Sequence, residues 1–303
     1  MRTFRIPFSA MSAACEIVVV GKAEQEARHF AEIAIKEVKR IEAKYSRYTK
    51  DSIVSRINES AGVAPVPCDP ETWSMLTFAD SLFKSSDGLF DITSGVLRRV
   101  WDFKVAKIPD QDHLNNVLAL VGWGKVDRLD QTVYLRKAGM EIDFGGFGKE
   151  YAADCAATLM SNAGLRNGYV NLAGDIRALG PKPDGTPWMI GIQDPRDRTR
   201  VMATIPLAQG GLATSGDYER FFEIDGKRYC HILNPLTGLP ASHWRTVSVV
   251  APLATLAGNC TTIAMLKQTQ GLEFLNASGM NYLAVDHSGE IFTKPQSHTV
   301  QTA

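Results

Sequence analysis

IDFGGFGKEYAAD, residues 142–154, joins an apolar, strand-like run to a helical pattern through a glycine-rich turn. Glycine lets the backbone approach a ligand closely, and a helix that begins just after the turn presents free N–H groups to an anion. Lys149 places a positive charge where a phosphate would lie, and Asp143 is a candidate for holding a polar ligand group or a metal-bound water. The stretch therefore predicts either an anion site or a simple strand-to-helix corner with a surface lysine. Its glycine spacing matches neither GxGxxG nor GxxxxGK followed by Ser or Thr.

The composition is that of an ordinary globular chain. Its 303 residues are 45% hydrophobic and 22% charged, which is enough to bury a sizeable core. Lysine plus arginine and aspartate plus glutamate each number 33, so the formal net charge is zero. A general nucleic-acid or anionic-membrane binder needs a basic excess, so we expect neither partner. No run reaches the ~18 apolar residues of a membrane helix, and we expect no membrane anchor.

The cysteines and the N-terminus indicate the compartment. Five cysteines are widely spaced and form no CxxC pair, which predicts reduced, mostly buried thiols rather than a disulfide framework or a zinc site. The N-terminus carries arginines and small residues, but Arg5, Pro7 and Ser9 interrupt the apolar run that a signal peptide needs. We therefore expect a cytoplasmic protein whose first strand lies at about residues 14–21.

Hydrophobic periodicity predicts helices and strands without an internal repeat. Amphipathic spacing predicts long helices at 23–45, 70–83, 149–162 and 254–266, and shorter ones at about 52–58 and 114–121. Other runs predict strands at 14–20, 126–129, 133–135, 140–144, 168–172, 188–192, 201–206, 246–251, 282–285 and 291–292, with 88–103 beginning as a short strand or loop. Many strands pair as hairpins, which favours an α+β fold of layered mixed or antiparallel sheets with packed helices. We expect one domain over 1–303, with a polar tail from about 295.

Aromatic residues in polar surroundings are candidates for contacting a flat ligand. Tyr48 lies in a polar loop, where its ring could stack on a planar group or anchor the loop as a half-buried residue. The same alternatives apply to Trp101, Asp102 and Phe103, because the two aromatic side chains could line the site of a flat ring or pack in the core. The residue types alone leave both interpretations open.

Two polar segments in the second half of the chain are further candidates. Residues 214–218, TSGDY, could form a turn that directs N–H and O–H groups toward phosphate oxygens, or only a turn. His231 lies in the segment YCHILNPLTGLP, residues 229–240, at the end of a short strand-like run and before a Pro-x-Thr-Gly-x-Pro loop, and it could be structural or functional. The sequence has no Ser/His/Asp order, HExxH motif or zinc-ligand spacing, which argues against a triad hydrolase or a metalloprotease.

The order of six short motifs is more specific than any one of them. They are Ser-x-Tyr-x-x-x-Ser, Gly-x-Phe-Asp-Ile-Thr, Ile-Asp-x-Gly-Gly-x-Gly-Lys, Asn-Leu-x-Gly-Asp-Ile, Ala-Thr-Ser-Gly-Asp-Tyr and His-Ile-x-Asn-Pro-x-Thr-Gly. In this order, over roughly Met11 to Phe292, the chain resembles the FAD:protein FMN transferase family, the ApbE-type flavin transferases. The resemblance implies binding of FAD and Mg²⁺, and transfer of the FMN part onto a Thr or Ser hydroxyl of an acceptor protein with release of AMP. Some members instead hydrolyse FAD to FMN and AMP.

The resemblance also implies roles for individual residues. Tyr48 matches the family's flavin-stacking tyrosine. Trp101, Asp102 and Phe103 match its FAD-lining segment, with Asp102 in place of the usual glycine. A base that assists the incoming hydroxyl is expected at His231 or Asp217. The remaining implied contacts are to FAD from Met11, Asp143, Lys149, His231 and Ile232, and to Mg²⁺ from the Gly146 carbonyl, Gly258 and Thr262.

One departure from the family pattern concerns the metal. Where the family reads Ala-Asp-Ala-x-x-Thr, this chain has Gly258 and Asn259 ahead of Thr262, so the aspartate that binds Mg²⁺ is absent. A carboxylate brings formal charge that an amide or a water cannot replace. We expect weaker Mg²⁺ binding unless Asp143, Asn259 or Asp217 supplies a ligand. The alternatives to a transferase are an FAD pyrophosphatase and an FAD-binding protein without catalysis.

Overall fold

A single eight-stranded antiparallel sheet lies at the centre of the structure, a computed structural model that describes residues 1–294. The strands are β1 (Arg2–Ala10), β2 (Ala13–Gly21), β3 (Val66–Pro67), β4 (Val126–Leu129), β5 (Thr132–Leu135), β6 (Gly168–Leu172), β7 (Asp175–Gly180), β8 (Trp188–Gln193), β9 (Val201–Leu207), β10 (Gly210–Gly216), β11 (Phe221–Ile224), β12 (Lys227–Cys230), β13 (Trp244–Ala251), β14 (Asn281–Asp286) and β15 (Ile291–Lys294). The α-helices are α1 (Glu24–Tyr45), α2 (Ile53–Glu59), α3 (Pro70–Ser85), α4 (Gln111–Leu118), α5 (Gly148–Asn162), α6 (Ala254–Leu266) and α7 (Gly271–Ala277). The 3₁₀ segments lie at Ile92–Arg99, Trp123–Lys125, Phe144–Gly146 and Gln268–Gln270. The large sheet has the order β1-β2-β6-β7-β10-β13-β14-β15.

Strand β2 shows why the sheet is covered on both faces. From Ile17 to Val20 every side chain is buried. Successive residues of a strand face opposite sides of the sheet, so Ile17 and Val19 pack against the helices. Val18 and Val20 pack instead with Trp188 of the β8–β9 hairpin, which covers the other face. The protein is therefore layered as helices, large sheet and hairpin.

Helices α1, α5 and α6 form the layer on one face of the large sheet. The buried residues of α1 recur at three and four residue steps, as its amphipathic spacing requires. Small residues line the buried sides of α5 and α6, which lets these two helices pack closely. Asp154 on α5 accepts hydrogen bonds from the Ala254 N–H and the Thr255 N–H, both at 2.9 Å, and thereby caps the start of α6.

The predicted α+β class is confirmed, and every pairing in the large sheet is antiparallel. The four long helices begin and end within two residues of their predicted bounds. The prediction of a strand at 140–144 is wrong, because the Ile142 backbone N–H and carbonyl bond to the Asn58 side chain, at 2.7 and 3.0 Å, instead of to a strand. Residues 88–103 form a 3₁₀ segment and loop.

Strand β1 was missed because Pro7 interrupts it, although its polar and apolar residues alternate as in a strand. It is an edge strand in the sheet, and an edge tolerates the missing proline N–H. No helix in residues 1–294 is long and apolar enough to cross a membrane. All five cysteines are free thiols, as predicted, and three of them are buried. The predicted polar tail from about 295 lies outside the described residues.

Antiparallel register brings several strand ends together at one end of the large sheet. The β1–β2 and β6–β7 turns are neighbours there, because Cys15 near the start of β2 pairs with Leu172 at the end of β6. The end of β10 lies beside them, since Leu212 pairs with Ile176 at the start of β7 and β10 then continues past that start. The candidate site is built on this end of the sheet.

Candidate functional site

The glycine-rich turn leads into the N-terminus of α5. Phe147 precedes the helix and provides no side-chain cap, so the first N–H groups of α5 have no capping side chain. Lys149 Nζ forms an ion pair with Asp175 Oδ2 at 2.7 Å. Burial alone would lower the pKa of Lys149, but the Asp175 and Glu150 carboxylates outweigh it and the pKa is raised. Lys149 is therefore charged, and Asp175 fixes its position.

Two other basic residues, Arg220 and His231, lie close enough to Lys149 to interact with its charge. His231 directly follows β12, and its backbone N–H donates to the Arg220 carbonyl at 3.0 Å. Burial, and then the positive charges of Arg220 and Lys149, lower the pKa of His231 to about 4. The imidazole is therefore neutral at pH 7, and its buried Nδ1 has no hydrogen-bond partner in the described part of the chain. Ile232, the next residue, is buried in the core.

Arg47 joins Asp143 to Tyr48. Its guanidinium pairs with the Asp143 carboxylate, donates to the Tyr48 hydroxyl at 2.7 Å and lies 4.9 Å from the Tyr48 ring centroid. Asp143 Oδ1 also accepts from the Gly145 N–H at 2.9 Å, which fixes the glycine turn. Tyr48 is 77% exposed, so most of its ring is open to a planar ligand. The structure thus leaves the tyrosine ring accessible and the aspartate already partnered.

Trp101 belongs to a buried aromatic cluster. It is only 2% exposed, and its indole N–H donates to the Gly238 carbonyl at 2.7 Å. Phe103 is half-buried beside it, with ring centroids 6.2 Å apart, and Asp102 is exposed between them. The other rings of the cluster are Phe222 and Tyr229. This placement follows the core-packing alternative for Trp101 and leaves the edge of Phe103 and Asp102 at the surface.

Asp217 is held by two arginines. Its two carboxylate oxygens accept from Arg196 at 2.7 and 2.8 Å, and Arg228 lies 3.3 Å from Oδ1. A bidentate pair of this kind fixes the carboxylate and neutralises its charge. Asp217 therefore has both carboxylate oxygens engaged by arginines, whereas His231 Nδ1 has no partner among the described residues.

Met11 lies in the β1–β2 turn, with a φ of 53°, and its N–H donates to Glu42 Oε1 at 2.6 Å. The Cys15 thiol, on β2, lies within electrostatic reach of both Lys149 and Glu42. The turn is therefore next to the start of α5. A cleft of about 390 Å³ opens here and is lined by Ser9, Ala10, Ser12, Ala13, Ala14 and Glu42.

The three candidate metal ligands are Gly146, Gly258 and Thr262, and they lie where the glycine turn meets α6. Thr262 Oγ1 is 3.4 Å from Ser215 Oγ on β10. Gly258 is buried, and a Cβ placed on it would lie 2.7 Å from Glu150 Cγ and 2.8 Å from Glu150 Cδ. Position 258 therefore offers no side-chain ligand, and the space beside it is taken by the Glu150 carboxylate.

Two buried oxygens in this region, Glu150 Oε2 and Asn259 Oδ1, have no hydrogen-bond partner within residues 1–294. Burial raises the pKa of Glu150, and the negative charge of Asp175 adds to the effect. The described residues contain no group of three or more His, Cys, Asp or Glu side chains suited to a metal ion. Carboxylate, amide, hydroxyl and carbonyl oxygens are nevertheless the donors that hard cations prefer, so this set fits Mg²⁺.

Sequence reasoning missed four residues of the site: Arg47, Glu150, Asp175 and Arg220. A signal for Glu150 was present, because it lies three and seven positions before Ala153 and Ala157 on the small-residue face of α5. Asp175 is the aspartate of the Asn-Leu-x-Gly-Asp-Ile motif, so the motif was a signal for it. Arg47 and Arg220 carry no such signal, because the charges that they face, Asp143 and Lys149, are distant in the sequence.

The fold and the site define an α+β protein with a cluster of basic side chains at one end of an antiparallel sheet. The family model described as the ApbE family matches residues 11–284. The FAD:protein FMN transferase of Escherichia coli K12 is 31% identical over 258 residues, which cover 82% of this chain and 74% of that protein. The protein of the same name from Haemophilus influenzae is 30% identical over 274 residues, covering 86% and 79%. The ApbE protein of Thermotoga maritima has a crystal structure that matches 97% of each chain with a TM-score of 0.88 and 32% identity. This chain belongs to the ApbE family.

Proposed function

We propose that the protein is an Mg²⁺-dependent FAD:protein FMN transferase, which moves FMN from FAD to a Thr or Ser hydroxyl of an acceptor protein and releases AMP. The names of its relatives support the reaction class. On this chain, the observation that carries the proposal is the convergence of Lys149, Arg220 and His231 beside the uncapped start of α5.

The basic cluster suits the pyrophosphate of FAD. Lys149 is charged and held in place by Asp175, so it binds an anion without first having to become ordered. Arg220 is exposed and makes no ion pair among the described residues, so its charge is available to a ligand. The N–H groups at the start of α5 add further donors. The accessible ring of Tyr48 provides a surface on which the flavin can stack.

The proposed reaction needs positioning and charge stabilisation more than covalent help from the protein. The acceptor oxygen attacks the FMN phosphorus, the bond from that phosphorus to the bridging oxygen breaks, and AMP leaves with that oxygen. His231 is neutral at pH 7 and has an unpartnered Nδ1, which supports its role as the base that takes the hydroxyl proton. A bound Mg²⁺ would neutralise charge on the pyrophosphate, and the oxygens of Gly146, Asn259 and Thr262 are the proposed contributors from this chain.

The proposed compartment is the cytoplasm. Five free cysteines support a reducing environment. The proposed partner is a protein that displays a Thr or Ser hydroxyl on an accessible segment, because the acceptor oxygen must reach the cluster at the end of the sheet.

The test is incubation of the purified protein with FAD, Mg²⁺ and an acceptor domain that carries one candidate threonine. Covalent flavin fluorescence on the acceptor, together with AMP in equal amount, is the expected result. A matched acceptor with that threonine changed to valine should remain unlabelled. FMN and AMP without labelling would indicate a pyrophosphatase, and intact bound FAD would indicate a binding protein. Either outcome would overturn the transferase proposal.

A further inference from the structure

The buried carboxylate of Glu150 is not explained by the contacts of the protein itself. The residue is 6% exposed, and its Oε2 has no hydrogen-bond partner in the described part of the chain. The Lys149 ammonium attracts Glu150 but makes its direct ion pair with Asp175, and no ion pair joins Lys149 to Glu150 among the described residues. Burial without a partner disfavours the charged form of a carboxylate, so a cation that binds there would stabilise that form.

The surroundings of Glu150 indicate the chemistry of the missing partner. The carboxylate points from α5 at Gly258 on α6. Asn259, the next residue on α6, is 2% exposed and also has an unpartnered oxygen, Oδ1. The Asn259 Nδ2 already donates to the Thr255 carbonyl at 2.6 Å, which leaves Oδ1 as the unpartnered end of the amide. Each of these two orphaned oxygens is an acceptor without a donor, and a cation is the kind of partner that suits both.

We propose that Glu150 is the carboxylate ligand of a divalent cation held between α5 and α6, and that Gly258 provides the space this side chain occupies. The inference rests on the proposed function, since it names a protein ligand for the cation of that reaction. None of the three substitutes expected from the sequence supplies such a carboxylate. Asp143 pairs with Arg47, Asp217 pairs with Arg196, and Asn259 is neutral.

Glu150 and a carboxylate at position 258 exclude each other. A Cβ on residue 258 would lie 2.7 Å from Glu150 Cγ and 2.8 Å from Cδ, well inside van der Waals contact, and Oε1 is nearer still. The site therefore has room for one carboxylate, which can be attached to α5 or to α6. Because α5 and α6 pack closely, the charge at the site is the same in either arrangement.

The first test measures binding of Mn²⁺, as a paramagnetic substitute for Mg²⁺, by electron paramagnetic resonance with FAD present and with a protein-free FAD control. Glu150→Gln keeps the size of the side chain and removes its charge. We expect the Kd for Mn²⁺ to rise by at least about tenfold, the lower end of what loss of a supporting group costs a metal site. Glu32→Gln, at an exposed position of α1, is the matched control and should leave the Kd unchanged. An unchanged Kd in Glu150→Gln, or no Mn²⁺ bound by the unaltered protein, overturns the proposal.

The second test exchanges the two positions. Glu150→Gly alone should lose Mn²⁺ binding, and Gly258→Asp alone should unfold at a lower urea concentration because the two side chains collide. The double variant should recover the urea midpoint of the unaltered protein, and its Kd for Mn²⁺ should lie within about threefold of the original value. Such non-additive effects of two substitutions are expected only when the two side chains are in contact. A double variant that folds but does not regain the metal rules out a shared carboxylate position.

These readouts are independent of flavin transfer. If Mn²⁺ binding depends on Glu150 but no acceptor is labelled, the metal site stands and the transferase proposal fails. If labelling occurs and Glu150→Gln binds Mn²⁺ as tightly as the unaltered protein, the transferase proposal stands and the proposed role of Glu150 fails.

Discussion

Asp154 is predicted to be the residue whose removal most weakens the packing of α5 on α6. Its carboxylate accepts from the Ala254 N–H and the Thr255 N–H at 2.9 Å and from the Thr255 hydroxyl at 2.6 Å. Leu253, which precedes α6, provides no cap of its own. Arg177 Nε lies 3.2 Å from the same carboxylate. The Asp154 side chain therefore accepts from free backbone N–H groups at the start of α6 and neutralises the half-buried Arg177.

The expected loss can be worked out from these contacts. A hydrogen bond to a charged group contributes about 1.5–3 kcal/mol, but the three bonds share one carboxylate and water replaces part of what is lost. We expect Asp154→Ala to lower the free energy of unfolding by about 3–5 kcal/mol, which is the cost of breaking a buried charged network. Asp154→Asn keeps one carbonyl acceptor and loses the charge, so it should cost about 1–3 kcal/mol.

The assay is urea unfolding at pH 7, followed by far-ultraviolet circular dichroism. Asp110→Ala is the matched control, since Asp110 caps α4 through a single bond to the His113 N–H at 2.8 Å in an exposed position. It should cost about 0.5–1 kcal/mol. If Asp154→Ala is no more destabilising than Asp110→Ala, the assigned role of Asp154 is wrong.

Three further predictions concern the ligand cluster. Tyr48→Ala should weaken FAD binding by about 1–3 kcal/mol, whereas Tyr48→Phe should bind FAD as tightly as the unaltered protein. If flavin fluorescence gives Tyr48→Ala the same affinity as the unaltered protein, the ring does not stack on the flavin. Arg220→Gln should weaken FAD binding and reduce its dependence on salt, whereas Arg220→Lys should keep most of both; a variant with an unaltered salt dependence would place Arg220 away from the pyrophosphate. His231 has a folded pKa of about 4, below its ordinary 6.5, so the unfolded chain binds the proton more readily between these values. Its contribution to stability is present above pH 6.5 and is lost as the pH falls toward 4. In His231→Gln, the free energy of unfolding should therefore depend less on pH between 4 and 6.5.

Much of the fold could be predicted because its signals are local. The periodicity of apolar residues located the long helices, and Ser52 caps α2 through a bond to the Ser55 N–H at 3.0 Å, as a residue of its type does. Elements without a local signal were missed. Strand β1 depends on pairing with β2, and residues 140–144 depend on Asn58, which lies far away in the sequence.

The family could be predicted from the order of six motifs, which is specific even where each motif alone is a common turn. The sequence also showed that position 258 lacks a carboxylate. Which charged groups are free to bind a ligand depends on contacts that the folded chain alone creates. Asp143 and Asp217 are taken up by arginines, Lys149 is oriented by Asp175, and Glu150 fills the space at Gly258. The physical reason is that an ion pair or a steric exclusion depends on distances of a few ångströms between residues that the chain order places far apart.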